Sequence, residues 1–94
     1  MKQNQTDYDL RFSRCYEMYS LPLTRYISSR LGDWDTAEEI CQDLFSYLYE
    51  AKRPLDISRP TTGPFLYTAA RNRVIDHLRR KLKMFPSSGT IDEN

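Results

Sequence analysis

The chain has little of what most chemistries need. Its 94 residues include two cysteines, one histidine and three glycines. Cys15 and Cys41 belong to no CxxC pair, and with His77 as the single histidine the usual tetrahedral zinc donors are too few. Both thiols fall among apolar helical positions, which suits small buried hydrophobes. No metal and no cofactor is expected. No apolar run approaches the roughly 20 residues that a membrane span needs. The start, MKQNQTDYD, has no apolar segment behind its basic residue, which argues against a secretory signal. A cytoplasmic protein with no membrane partner is the expectation. A chain this short forms one domain with a modest core, not a large enzyme around a deep pocket.

Charge is plentiful and unevenly divided. Residues 1–56 carry seven Lys/Arg against ten Asp/Glu, whereas residues 57–94 carry seven against three. The net charge of +1 therefore conceals an acidic part at −3 and a basic part at +4. Such a molecule can hold two different partners at once.

Helical periodicity runs through the chain. Leu10, Phe12, Cys15, Tyr16, Met18 and Tyr19 recur at helical spacing, and Leu23, Tyr26, Ile27 and Leu31 resume the face beyond Pro22. Residues 8–32 read as one long helix with a bend, or as two in tandem, closed by Gly32 as C-cap. Asp35 is the expected N-cap of the next helix, with Glu38 at capping-box spacing. On that helix Ala37, Ile40, Cys41, Leu44, Phe45 and Leu48 form one apolar side. Glu39, Gln42, Asp43 and Ser46, at i, i+3, i+4 and i+7, form one polar stripe with no Lys or Arg from the same helix to neutralise it.

Residues 52–64 (KRPLDISRPTTGP) hold three of the five prolines and form a loop with restricted backbone choices. Thr61 or Thr62 caps the final helix, with Pro64 in its first turn. In the stretch Gly63–Lys83, Leu66, Ala70, Val74, Leu78 and Leu82 recur every fourth residue, a buried face that Ala69 and Ile75 widen. The rest of its surface carries Arg71, Arg73, Arg79, Arg80, Lys81 and Lys83, with Asp76 as the one acid and Phe65, Tyr67 and Asn72 near its start. Cations for phosphates, aromatic planes for stacking and an amide for a base edge together suit single-stranded or locally melted nucleic acid. No strand pattern is present. The fold class is all-α.

Three stretches, GDWDTAEEICQDLFSYLY at 32–49, the proline-containing loop and FLYTAARNRVIDHLRR at 65–80, resemble region two of bacterial RNA polymerase sigma factors, closest to the extracytoplasmic-function group. The acidic helix of that family typically reads AED, two apolar residues, Q, acid, apolar, F, and this chain has AEEICQDLF. The basic helix typically reads WLY, small residues, ARN, apolar, D, apolar, RR, and this chain has FLYTAARNRVIDHLRR. The first helix, with its internal proline and terminal Leu-Gly, also fits. The resemblance covers residues 8–83 and implies a compact domain of three to four helices.

It also implies two surfaces. The acidic helix would dock on the clamp helices of the polymerase β′ subunit through Glu39, Gln42 and Asp43, with Ser46 on the same stripe. The basic helix and its preceding loop would bind the non-template strand of the minus-ten promoter element. A flipped base would enter a pocket with Asn72 at its wall and Pro60, Thr61, Thr62 and Gly63 at its rim. Arg71 and Arg73 would meet phosphates, with Arg79, Arg80, Lys81 and Lys83 continuing towards the duplex. Tyr67 would stack or pack, and His77 would supply a polar contact or sit at the DNA face. Melting costs about a few kcal/mol per unstacked step, and stacking returns roughly 1–3 kcal/mol per base. Capture of a strand melted within holoenzyme is therefore the expected mechanism.

The chain departs from the pattern in places. Phe65 stands where the family usually has Trp, and the loop has prolines the pattern does not call for. Residues 1–7 are expected to be a flexible N-terminus, 8–84 the helical domain and 85–94 the start of an inter-domain linker. The family's second domain, a helix-turn-helix that reads the minus-thirty-five element, is not expected within these 94 residues, which read as a fragment cut in the linker or as a protein that works with region two only. An anti-sigma protein is a further candidate partner. The alternative reading is a helical adaptor or sigma-like regulator that binds polymerase or an anti-sigma protein without engaging DNA. A helix-turn-helix repressor would want a short turn before its recognition helix, and the 13-residue loop fits that poorly. Catalysis is not expected, because the adjacent Asp76 and His77 point about 100° apart on a helix.

Overall fold

The chain folds into three helices in the computed structural model, which describes residues 6–84. They are α1 (Asp7–Leu31), α2 (Trp34–Glu50) and α3 (Thr62–Met84). Among the described residues there is no strand, so the all-α expectation holds, with the helix count at the lower end of three to four. Residues 1–5 and 85–94, where the flexible start and the linker are expected, lie outside the described residues.

Helix α1 begins at Asp7 because the Thr6 hydroxyl accepts the Asp9 N–H at 3.0 Å. It runs unbroken through Pro22, so the choice between one helix and two resolves to one. Proline removes the donor that the Met18 carbonyl would receive, and Met18 is exposed, where water can replace it. Two residues on, the Ser20 carbonyl accepts the Thr24 hydroxyl at 2.7 Å and the Cys41 thiol at 3.6 Å. Helix α1 ends where Gly32 turns left-handed at φ 77° and donates to the Ser28 carbonyl at 2.7 Å.

The cap of α2 corrects the sequence reading. The N-cap is Asp33, extended at φ −146°, whose carbonyl accepts the Ala37 N–H at 3.1 Å; Asp35 lies in the first turn. Gly32 has already reversed the chain, so the next residue must lead directly into the helix. The Thr36 hydroxyl donates to the Asp33 carboxylate. That bond, ahead of the nearby Lys81 charge, holds the Asp33 pKa below its ordinary value.

Helix α2 lies at the centre of the packing. Its Ala37, Cys41, Leu44, Phe45 and Leu48 are buried against Cys15, Leu23 and Ile27 of α1, Leu55 of the loop, and Leu66, Ala70 and Val74 of α3. Burying a leucine of this kind contributes about 1.5–3 kcal/mol. Aromatic rings seal the α1–α2 seam, with Phe12 and Tyr16 each meeting Phe45 edge-on at 5.9 and 5.0 Å between centroids. Both free thiols are buried, and burial raises their pKa values, as inert core cysteines require.

The apolar face of α3 is shorter than its spacing suggests. Leu66, Ala70 and Val74 are buried, but Leu78 is 41% exposed and Leu82 69% exposed. Helix α1 ends at Leu31 and α2 starts at Trp34, and Lys81 already lies near Asp33 at their junction. Among the described residues, the last turns of α3 therefore have no neighbouring helix to pack on. At its other end α3 comes close to α1, where a Cβ on Gly63 would lie 3.0 Å from the Tyr19 hydroxyl.

Candidate functional site

Two features of the surface stand out, one on each side of α2. The first is the polar stripe. Glu39, Gln42, Asp43 and Ser46 are all exposed, as burial of the opposite side of α2 requires. Asp35, Glu38, Glu39, Gln42 and Asp43 together line a shallow open recess with no cationic side chain in its wall. Towards α1, the Gln42 amide donates to the Tyr16 hydroxyl at 2.8 Å. Beside that bond lies a groove of about 410 Å³ whose walls include Phe12, Tyr16, Glu17, Phe45 and Tyr49. The stripe is thus flanked by an aromatic trough with acidic edges.

The second feature begins where α2 ends. Lys52 takes a left-handed conformation at φ 54°. Its N–H donates to the Tyr49 carbonyl and that of Arg53 to the Leu48 carbonyl, both at 3.1 Å, which is the Schellman pattern without its customary glycine. The Lys52 ammonium lies 4.3 Å from the Tyr49 ring centroid and 5.0 Å from that of Tyr8, contacts that help hold this backbone. The turn delivers Arg53 over the Phe65 ring of α3, at 5.3 Å.

The loop that follows is pinned from within. Leu55 is buried, and the Asp56 carboxylate accepts the Ser58 N–H at 2.9 Å and the Ser58 hydroxyl at 2.8 Å. These bonds, the backbone one foremost, lower the Asp56 pKa. The Thr62 hydroxyl donates to the Asp56 carbonyl at 2.6 Å. Thr62 is only 4% exposed, so it faces inward and braces the loop, while Pro60 and Thr61 are exposed at the rim. The Thr61 carbonyl accepts the Phe65 N–H at 3.0 Å and starts α3. Gly63 is half-buried against Tyr19. Arg53, Leu55, Arg59, Thr61 and Phe65 are among the walls of a recess of about 260 Å³.

Across the Arg53–Phe65 pair lies a larger open groove between α2 and α3, of about 760 Å³. Asn72, Arg73 and Arg79 line it from α3, and Tyr47 and Arg53 from α2 and its end. The Arg73 guanidinium lies 5.4 Å from the Tyr47 ring centroid. Asp76 is the one carboxylate in this wall, and Arg80 pairs with it at 3.1 Å.

The structure gathers some of the sequence-derived DNA residues and separates others. Asn72, Arg73 and Arg79 share the groove, with Arg80 next to it through Asp76. Tyr67 lies elsewhere on α3 and packs edge-on to Tyr26 of α1, 5.6 Å between centroids, while Arg71 is exposed outside the groove. Lys81 and Lys83 are exposed on the overhanging end, and His77 is half-buried. Sequence reasoning missed Tyr47 and Arg53. Tyr47 lies between the exposed Ser46 and the buried Leu48 on a helix singled out for its acids, and no glycine marks the turn that presents Arg53. Among the described residues, no three His, Cys, Asp or Glu side chains gather as a metal site, and no helix is long and apolar enough to cross a membrane.

Comparison with known proteins adds an independent line. Residues 15–83 match the Sigma-70 region 2 family. Over 68 residues the chain is 34% identical to the ECF RNA polymerase sigma factor BldN of Streptomyces coelicolor, a match covering 72% of this chain and 26% of that protein. The chain therefore spans about a quarter of the length of this curated relative. No solved structure matches the chain.

Proposed function

The chain belongs to the Sigma-70 region 2 family, and from that premise we propose that it is a transcription-initiation module of the extracytoplasmic-function type, with no catalytic activity of its own. One face docks on the β′ clamp helices of RNA polymerase, and the other captures the non-template strand of the melted minus-ten element. The observation that carries this reading is the separation of charge about α2. The acidic stripe has no cation in its recess, while three arginines and an amide line the groove on the α3 side. Basic side chains on the clamp helices complement the first surface. The phosphates and bases of an opened strand complement the second.

In this mechanism Glu39, Gln42, Asp43 and Ser46 contact polymerase. The loop rim at Pro60, Thr61 and Gly63 receives a flipped base, Thr62 holds that rim in shape, and Asn72 meets the strand in the adjoining groove. Arg73 and Arg79 neutralise phosphates near the groove. Arg71, Arg80, Lys81 and Lys83 extend the cationic track, with Tyr67 and His77 along the same helix. The phosphate contacts position the strand and the base contacts specify it. An adaptor without DNA binding would leave the arginines and Asn72 of the groove without a role.

A competition experiment tests the two-surface arrangement. The 94-residue chain, free or saturated with an isolated clamp-helix fragment, is titrated with a fluorescent single strand carrying a minus-ten element. Equal affinity in the two states is expected. Displacement of one ligand by the other would mean that both use a single surface, and the proposal would fall.

A further inference from the structure

The groove between α2 and α3 holds more than the family likeness assigns to it. We propose that it is a second nucleotide recess for single-stranded DNA, next to the loop recess, with Tyr47 of α2 as its stacking platform. This inference rests on the strand-capture reading above and extends it to a helix otherwise read as the polymerase-facing one.

Five observations converge. Tyr47 is a large aromatic left 55% exposed, although the neighbouring Leu44 and Leu48 are buried. The Arg73 guanidinium covers one side of its ring at 5.4 Å, which fixes the plane and leaves ring surface open to the groove. Arg53 covers Phe65 in the same way at 5.3 Å on the far wall. Asn72 and Arg79 line the same groove, and its single acid, Asp76, is already drawn to Arg80. An open groove of about 760 Å³ has the size of sites that hold molecules as large as a nucleotide.

The chemistry of the wall selects the ligand. A base is flat and stacks on an aromatic ring whatever its identity, while its phosphate seeks guanidinium groups. Arg53, Arg73 and Arg79 provide those groups within one groove, which fits an anion attached to a planar ring. Arg53 and Phe65 are also walls of the loop recess, so the two recesses share a partition. A strand that places one base in the loop recess meets the Tyr47 groove immediately across that partition. Adjacent nucleotides of one strand are the occupants this arrangement fits.

The test is binding of a fluorescein-labelled single-stranded DNA oligonucleotide to the 94-residue chain, followed by anisotropy across a salt series. Tyr47→Leu keeps an apolar side chain and is expected to bind roughly tenfold more weakly with an unchanged salt slope, since it removes stacking and no charge. Tyr47→Phe is expected to bind like the parent, and Arg53→Ala to lower the slope. An oligonucleotide carrying 5-iodouracil should crosslink to Tyr47 in the parent chain. If Tyr47→Leu binds like the parent and the crosslink lies elsewhere, while Arg79→Ala weakens binding, the Tyr47 recess is wrong and strand capture stands. If Tyr47→Phe weakens binding as much as Tyr47→Leu, the hydroxyl rather than the ring is the contact and stacking is wrong. A folded parent chain that binds no oligonucleotide overturns both.

Discussion

The Gln42 side-chain amide donates a hydrogen bond to the hydroxyl of Tyr16, 2.8 Å away on the neighbouring helix. A residue of the acidic stripe is thereby held in one orientation by a residue of α1. A neutral hydrogen bond of this kind contributes about 0.5–1.5 kcal/mol net. Tyr16→Phe keeps the ring contact with Phe45 and frees Gln42. It is expected to weaken binding to the clamp-helix fragment about two- to tenfold and to lower the unfolding stability by no more than the lost bond, about 0.5–1.5 kcal/mol. Calorimetric titration beside a urea melt separates the two effects.

Thr62 is expected to act on stability and only through stability on DNA. Its hydroxyl bonds the Asp56 carbonyl from a buried position. Thr62→Val preserves shape and removes one of the two hydrogen bonds at that carbonyl, which keeps the Arg59 N–H at 3.0 Å, at a cost of about 0.5–1.5 kcal/mol. Thr62→Ser should recover most of the loss. Denaturant unfolding of the three chains checks the order, and equal stability of the valine variant would remove the loop brace from the account.

The two ends of the α3 stripe should respond differently to the same chemical change. Leu66, fully buried, is expected to lose about 2–5 kcal/mol on substitution by alanine. Leu82, 69% exposed, should change by about 0.5 kcal/mol or less. Urea melts of Leu66→Ala and Leu82→Ala give both numbers.

That contrast shows where the sequence was legible. Period and spacing identified α2 residue by residue, because its apolar side is buried along the whole helix. The same rule applied to α3 found its start and overran its end, since periodicity records an amphipathic helix and not where its neighbours stop. The α2 cap was misplaced for a related reason. Asp33 and Asp35 are both good caps, and only the left-handed Gly32 decides between them. The acidic stripe and the loop–α3 residues lie on contiguous sequence and could be read directly. The groove could not, because Tyr47, Arg53 and Arg73 come together only when α2 and α3 pack and Lys52 turns left-handed.

Acid should loosen the loop and the α1–α2 junction. Asp56 and Asp33 both have pKa values lowered in the folded chain, chiefly by hydrogen bonds from Ser58 and Thr36. A lowered folded pKa means that this stability is complete above the ordinary Asp value of about 3.9 and is lost as the pH falls through the folded value. Urea midpoints measured between neutral pH and about pH 3 should fall on acidification. Asp56→Asn should be less stable at neutral pH and show a shallower decline, and an unchanged acid profile would contradict the loop geometry.

The central claim is that the unpaired stripe on α2 is the polymerase-docking surface. It is tested most directly by titrating an isolated β′ clamp-helix fragment into the 94-residue chain and into Gln42→Ala/Asp43→Ala. Both positions are exposed, so circular dichroism should match between the two chains and their stabilities should differ by no more than the lost Gln42–Tyr16 bond. The account predicts that the parent binds and that the double variant binds at least about tenfold more weakly, with a reduced salt dependence. A folded double variant that binds the fragment as tightly as the parent would contradict it.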